Sequence, residues 1–522
     1  MVKQFLMSEI RPVDKKMQVI QSVGTLTRAA TDKLDELIVV TPHNIPALLW
    51  KKIPDGKTLG LLSKRIGQSK PLRSRLNNQR GTGVSLRPLI KSGQQDDPAA
   101  YPLLKWAGEA AATALAEQPK MLGIIVLGLT PAQTATVINA LLLAVHAHSF
   151  QLPGYQSKKP GKRGVRKLSL LGLEERLDLD RGLSEAHAIN LARWLTALPP
   201  NKLTAGTYRK AITELAADYQ WKSTFYNQTK LKKLGAGAFL AVSQGNADKE
   251  AGILRLQYRP AGAGKKPKLA LVGKGIIFDT GGNNLKPFKS MLDMHEDMGG
   301  SAVAVATLQA LTELEFPYPV DCWLAITENR IGPTAYKSRD IVTAINGKTI
   351  EVIHTDAEGR MVLADTLTLA GSHGADLIID YATLTGACHY ALTDRYSGVF
   401  SNRAPLNNVM TQAGLSSGER VWPFPMDADF DDELKSKVAD ILQCSVGGEA
   451  DQILAARFLQ RFVPDDTPWI HIDLSAVTNK SGLGQIPAGV TGFGVRFTLN
   501  LLYEQAENMT DLLGDSIPVN AT

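Results

Sequence analysis

The stretch that decides the fold is Val272-Gly-Lys274-Gly-Ile-Ile-Phe-Asp279-Thr-Gly281-Gly282-Asn-Asn-Leu-Lys286-Pro287, preceded by the apolar run Leu269–Val272. An apolar run that ends in a Gly pair flanked by charges reads as a buried strand leading into a tight turn. Further strand candidates, Cys322–Ile326, Leu377–Ile379 and Trp469–Leu474, are separated by helix-sized segments, which predicts an α/β unit. Upstream, Leu37–Val40 and Leu122–Leu129 read as buried strands and Thr130–His148 as the helix after the second. Between the two regions Ala188, Leu191, Ala192 and Leu195 keep helical spacing until Pro199-Pro200 ends the run. The expected fold class is therefore α/β with two domains joined by a helix. Residues 1–182 form a smaller mixed α/β domain, 183–200 the linker helix and 201–522 a larger catalytic domain.

Two more segments carry charge where open α/β sheets place their ligands, at the ends of strands. Met291-Leu-Asp-Met294-His-Glu-Asp297-Met-Gly299-Gly300 leads into the helical pattern Ser301–Leu311, and Asp297 there could be a site residue or a helix cap. After the β-rich run Thr349–Ile353 comes His354-Thr355-Asp356-Ala357-Glu358-Gly359-Arg360-Met361. In an extended segment, Asp356 and Glu358 at spacing two would point the same way. With Asp279 and Asp297 they form a group of four acids, and hard divalent cations are the usual means of neutralising such a group. Lys274, Lys286 and Arg360 would temper the repulsion but are fewer. An oxygen-rich site of this kind suits metal-assisted hydrolysis.

Composition narrows the alternatives. Hydrophobic residues at 44% and charged residues at 21% are ordinary for a globular chain, so extensive disorder is not expected. The longest apolar runs, Leu122–Leu129 and Ala140–Val145, fall short of the roughly 20 residues needed to cross a bilayer. The first residues lack the apolar core of a signal peptide, and the three cysteines, Cys322, Cys388 and Cys444, fit neither a zinc cluster nor a disulfide framework. A cytoplasmic protein with reduced cysteines is expected. Residues 1–180 hold 26 Lys and Arg against 14 Asp and Glu, so the formal +7 of the chain is concentrated there. Part of this charge lies in Lys158–Lys167, read as an exposed loop. Such a face could attract nucleic acid, but no aromatics interleave for base stacking, and a solvated surface is the plainer reading.

The motifs quoted above resemble the signature stretches of the leucyl aminopeptidase family of metallopeptidases. The family's N-T-D-A-E-G-R-L stands here as H-T-D-A-E-G-R-M, and its V-G-K-G-x-x-F-D-S-G-G-x-x-x-K-P as VGKGIIFDTGGNNLKP. Ala382-Thr383-Leu384-Thr385-Gly386-Ala387 is similar to the family's A-T-L-T-G-A. The resemblance is densest over residues 270–390 and faint before 180. It implies an aminopeptidase that releases amino-terminal residues from peptides with two divalent ions, zinc or manganese. Asp279 and Glu358 would bridge the ions, Asp297 and Lys274 complete one of them, and Asp356 the other. Lys286 would stabilise the oxyanion, while Arg360 would hold a proton-relaying bicarbonate. Met294, Thr383 and Gly386 match the family's pocket for the first side chain, which favours Leu or Met. A hexamer of two stacked trimers is implied as well. His354 departs from the family's Asn without touching the ligand set, and His295 is read as a neighbour of the site rather than a ligand. Two rivals stand beside this reading: a nucleic-acid-binding or scaffolding protein with an incidental site, and a metal hydrolase of another amide or a phosphoester.

Overall fold

In the computed structural model the described residues are 10, 12, 17–43, 45–89, 100–157, 164–505 and 509–513, so residues 158–163 of the basic run Lys158–Lys167 lie outside them. The chain divides into two units. One comprises Val13–Asn190 with Lys480–Gly489, the other Met1–Pro12, Leu191–Asn479 and Val490–Thr522.

In the first of these, short apolar runs become the strands β1 (Gln18–Val23), β2 (Glu36–Thr41), β3 (Leu72–Arg75), β4 (Gly83–Pro88), β5 (Met121–Val126) and β6 (Lys167–Leu173). They form one sheet in the order β1-β6-β5-β2-β4-β3, parallel except for β3 at the edge. The expected helix after β5 runs over Pro131–Ser149. Thr130 and Gln133 cap it reciprocally and Pro131 occupies its first turn, an arrangement that stabilises a helix start by ~1 kcal/mol. Its Val137, Leu141, Leu142 and Val145 are buried in one core with Leu103, Ala107 and Ala111 of helix Ala100–Leu115. The helix Asp180–Thr196 ends shortly before Pro199-Pro200, and the boundary between the units falls within it.

The second unit is built on eight strands: β7 (Lys222–Asn227), β8 (Gly252–Tyr258), β9 (Leu269–Asp279), β10 (Val320–Asn329), β13 (Leu377–Ala382), β14 (Ser397–Ser401), β15 (Val421–Pro423) and β17 (Trp469–Asp473). A separate small sheet takes β11 (Ile341–Thr343), β12 (Thr349–Glu351) and β16 (Ile441–Leu442), with β12 central. The large sheet has the order β15-β14-β17-β13-β9-β10-β8-β7. Its centre, β17-β13-β9-β10, is parallel. Those strands are almost wholly buried, which is why they read as continuous apolar runs rather than alternating ones. From β9 the chain moves to β10 on one side and returns to β13 on the other, so the order reverses at β9. Crevices at the carboxyl ends of strands beside such a reversal are where open sheets bind ligands.

Candidate metal centre

Lys274 lies within β9 and Asp279 ends it; in the β9–β10 register Asp279 pairs with Asn329, the last residue of β10. Beyond Asp279 the chain turns through Gly281 at φ +86°, a conformation that side chains disfavour. A Cβ on Gly281 would also stand 2.9 Å from Asp356 Oδ1. The turn returns Lys286 to the site, with its Nζ 2.9 Å from Asp279 Oδ2 and 2.6 Å from Asp356 Oδ1.

Asp356 and Glu358 reach the site differently from the sequence expectation. β12 stops at Glu351, and residues 352–357 do not continue as a strand. Instead Ala357 N–H donates to His354 O across a turn, and Glu358 is the first residue of helix Glu358–Ser372. Spacing two in an extended run is thus the wrong reason for their convergence. The turn is splinted from far along the chain: Gln443 Oε1 accepts from the Ile353 and His354 N–H groups, and its Nε2 donates to Ala357 O. The carboxylate oxygens of Asp279, Asp356 and Glu358 come within 4.8 Å of one another.

Asp297 precedes helix Gly299–Glu313 but makes no side-chain cap to it, so the capping alternative does not hold. Its Oδ1 accepts from Lys274 Nζ at 2.7 Å and from the Thr383 hydroxyl at 2.8 Å. Lys274 also lies 3.0 Å from Glu358 Oε1 and donates to Thr383 O. Gly359 makes this possible, since a Cβ there would come within 2.7 Å of Lys274 Cε.

Four carboxylates and two ammonium groups therefore share one largely buried space. Burial and the neighbouring carboxylates raise the proton affinity of Asp297, Asp356 and Glu358, against the pull of the lysines. Burial alone would lower those of Lys274 and Lys286, but the surrounding acids outweigh it and hold both above the ordinary lysine range. Two positive charges leave a surplus of acid, and Asp297 Oδ2 is buried with no hydrogen-bond partner. An unpaired oxygen beside an uncompensated acidic cluster is a donor set that fits divalent cations.

Thr383 follows β13 and has its hydroxyl turned to Asp297, while Gly386 opens the short helix Gly386–Leu392 and is exposed. Met294 and His295 lie half-buried on a 3-10 turn ahead of Asp297. His354 is exposed, and its Nδ1 accepts weakly from Asp356 N–H at 3.3 Å. Arg360 is nearly fully buried on the same helix as Glu358, with Nη2 2.8 and 2.9 Å from the two oxygens of Asp451. Cys322, Cys388 and Cys444 are free and buried.

Asn329 was not singled out by the sequence. Its Nδ2 donates to Asp279 Oδ1 at 2.8 Å and to Thr355 O at 3.0 Å, fixing one acid against the loop that carries another. The signal available was a polar residue at the carboxyl end of an apolar strand, but its partner lies 50 residues away. Asn329→Ala is expected to weaken metal affinity about 10- to 100-fold, as when a partner that orients a ligand is lost. Calorimetric titration of metal-free protein with Mn checks this; unchanged affinity would refute it.

The sequence pattern of the cytosol aminopeptidase family's catalytic domain matches residues 190–499. The chain is 33% identical over 494 residues to a probable cytosol aminopeptidase of Prochlorococcus marinus (strain MIT 9313), covering 93% of this chain and 96% of the relative. It is 39% identical over 360 residues to a probable cytosol aminopeptidase of Chlorobaculum tepidum, covering 68% and 71%. Among solved structures, a mutant of tomato leucine aminopeptidase superposes with a TM-score of 0.81 at 27% identity, over 94% of this chain and 98% of that one. The bottromycin maturation enzyme BotP in complex with Mn gives 0.77 at 29% identity, over 90% and 98%.

Proposed function

Because the chain belongs to the cytosol aminopeptidase family, whose members are metal-dependent aminopeptidases, we propose that it releases single residues from the amino end of peptides by two-metal hydrolysis. The observation that carries this reading is the convergence of Asp279, Asp297, Asp356 and Glu358 on Lys274 and Lys286 in one buried space. Asp279 and Glu358 would be shared by both ions, Lys274 and Asp297 would hold one, and Asp356 the other. Zinc or manganese, held there by these residues, would supply Lewis-acid activation of water and of the scissile carbonyl.

The chain's own residues do the rest. Lys286, held in its charged form by the acids around it, donates to the oxygen on which negative charge develops. Thr383 keeps Asp297 in place and, with Met294 and Gly386, borders the pocket for the first side chain, for which Leu or Met is the preferred occupant. Arg360 would take the proton-relay role that the resemblance implies, with its Nη2 donating to both oxygens of Asp451.

The test is an assay on unblocked and acetylated peptides after chelation. Activity should vanish with the chelator, return with Mn or Zn, and release a free amino acid only from unblocked peptides. Cleavage of acetylated peptides, or of phosphoesters alone, would overturn the proposal. The assembly is a hexamer acting in the cytoplasm, and light scattering should give roughly six times the 56.5 kDa chain mass; a stable, fully active monomer would contradict it. Among the described residues no helix is long and apolar enough to cross a membrane. The basic first domain is a solvated surface that polyanions such as nucleic acid can approach without taking part in the reaction.

A further inference from the structure

Arg360 stands on the first turn of helix Glu358–Ser372, two residues after Glu358, and its side chain is only 2% exposed. A guanidinium so deeply buried must be neutralised in place. Asp451, the first residue of helix Asp451–Gln460 and 27% exposed, supplies the charge, with both its oxygens on Nη2 at 2.8 and 2.9 Å. Nη1 donates to Gln443 O, and Nε is buried without a partner. A carboxylate and a bicarbonate are alike in being planar, singly charged and two-oxygen acceptors, so they compete for the same edge of a guanidinium. An external anion approaching Arg360 would meet a like charge already seated there.

We propose that Asp451 is a built-in anion for Arg360: it positions the guanidinium and makes the reaction independent of added bicarbonate. The inference rests on the aminopeptidase reading for its kinetic consequence, but the anion site itself does not. Removing the Asp451 side chain opens the edge formed by Nε and Nη2 to a two-oxygen anion from solution. Replacing it with Asn removes the charge but keeps the space filled.

The experiment compares the full-length, Mn-loaded wild type with Asp451→Gly and Asp451→Asn, each in sodium bicarbonate and in sodium chloride of equal ionic strength. Melting temperature, kcat and metal content are read for each. Wild type should show the same melting temperature and kcat in both salts. Asp451→Gly should lose roughly 10- to 100-fold in kcat with its metal retained, and bicarbonate should restore kcat and raise its melting temperature. Asp451→Asn should show the loss and little rescue. Activation of wild type by bicarbonate overturns the proposal, as does a folded Asp451→Gly whose melting temperature ignores bicarbonate, or wild-type kcat in both variants. Should Asp451→Gly be unstable, Asp451→Ala is read in the same way. If the Mn-loaded wild type turns over no peptide at all, the aminopeptidase reading fails, while the bicarbonate-dependent rise in melting temperature of Asp451→Gly still decides the anion site.

Discussion

Asp279→Ala is expected to leave no measurable hydrolysis even with saturating Mn or Zn, and Glu358→Ala to do the same. Asp279 holds together more of the site than any other acid. Its Oδ1 accepts from Asn329 Nδ2 and Gly281 N–H, and its Oδ2 faces Lys286 Nζ at 2.9 Å. Removing it takes away a ligand common to both proposed ions and releases the turn that positions Lys286. Glu358, fully buried and 3.0 Å from Lys274 Nζ, joins the lysine side of the site to Asp279 and Asp356 in the same way. Elemental analysis of the purified variants should show loss of metal alongside loss of turnover, with near-UV circular dichroism reporting a preserved fold. Wild-type turnover by either variant in the presence of metal would eliminate the two-metal proposal.

Lys286→Ala is expected to have the second largest effect and a different signature: kcat should fall about 10²- to 10³-fold, equivalent to ~2.7–4 kcal/mol, while metal content stays the same. In the proposed mechanism Lys286 has no counterpart for this task. Lys274 is enclosed by Asp297, Glu358 and the Thr383 carbonyl at 3% side-chain exposure, whereas Lys286 retains 14% and sits on a turn. A side chain with that access can meet a reacting oxygen, and its contacts to Asp279 and Asp356 fix where it does so. An equal fall in kcat and kcat/KM identifies an interaction made only in the transition state. A rise in KM with unchanged kcat would assign Lys286 to substrate binding instead.

The parallel centre of the large sheet was legible because strands buried on both faces must be apolar throughout. Leu269–Val272, Cys322–Ile326, Leu377–Ile379 and Trp469–Leu474 each lie in or along such a strand. Each of these runs marks only part of its strand, or overshoots it by one residue, since β9 continues past Val272 through Lys274 to Asp279. A charged residue within a strand interrupts the apolar signal even when carboxylates elsewhere neutralise it. The flanking strand β7, Lys-Ser-Thr-Phe-Tyr-Asn, is half exposed and gave no run to find. The acids and lysines are identifiable because their charges are costly beside apolar strands, yet Asp356 and Glu358 are joined by a turn and a helix start rather than by an extended segment. A turn followed by a helix start can align two side chains as well as a strand can, and no local feature of the residues distinguishes the two. Asn329, Gln443 and Asp451 were invisible for a simpler reason. Each acts on a residue at least 50 positions away, and pairing register at that distance is a property of the sheet rather than of any segment.

The splint formed by Gln443 has a consequence for the order in which the molecule acquires competence during synthesis. All six of Lys274, Asp279, Lys286, Asp297, Asp356 and Glu358 have been added to the chain when residue 358 is in place, but the group that fixes the His354–Ala357 turn follows 86 residues after the carbonyl it grips. At ribosomal speeds of about 5–20 residues per second, several seconds separate the two events. During that interval the nascent segment carries the full complement of acids without the side chain that splints the His354–Ala357 turn in the folded protein. Metal capture at the proposed site should therefore depend on completion of the carboxyl-terminal half, and a chain cut short ahead of Gln443 is expected to lack the fixed turn that aligns Asp356 with Glu358.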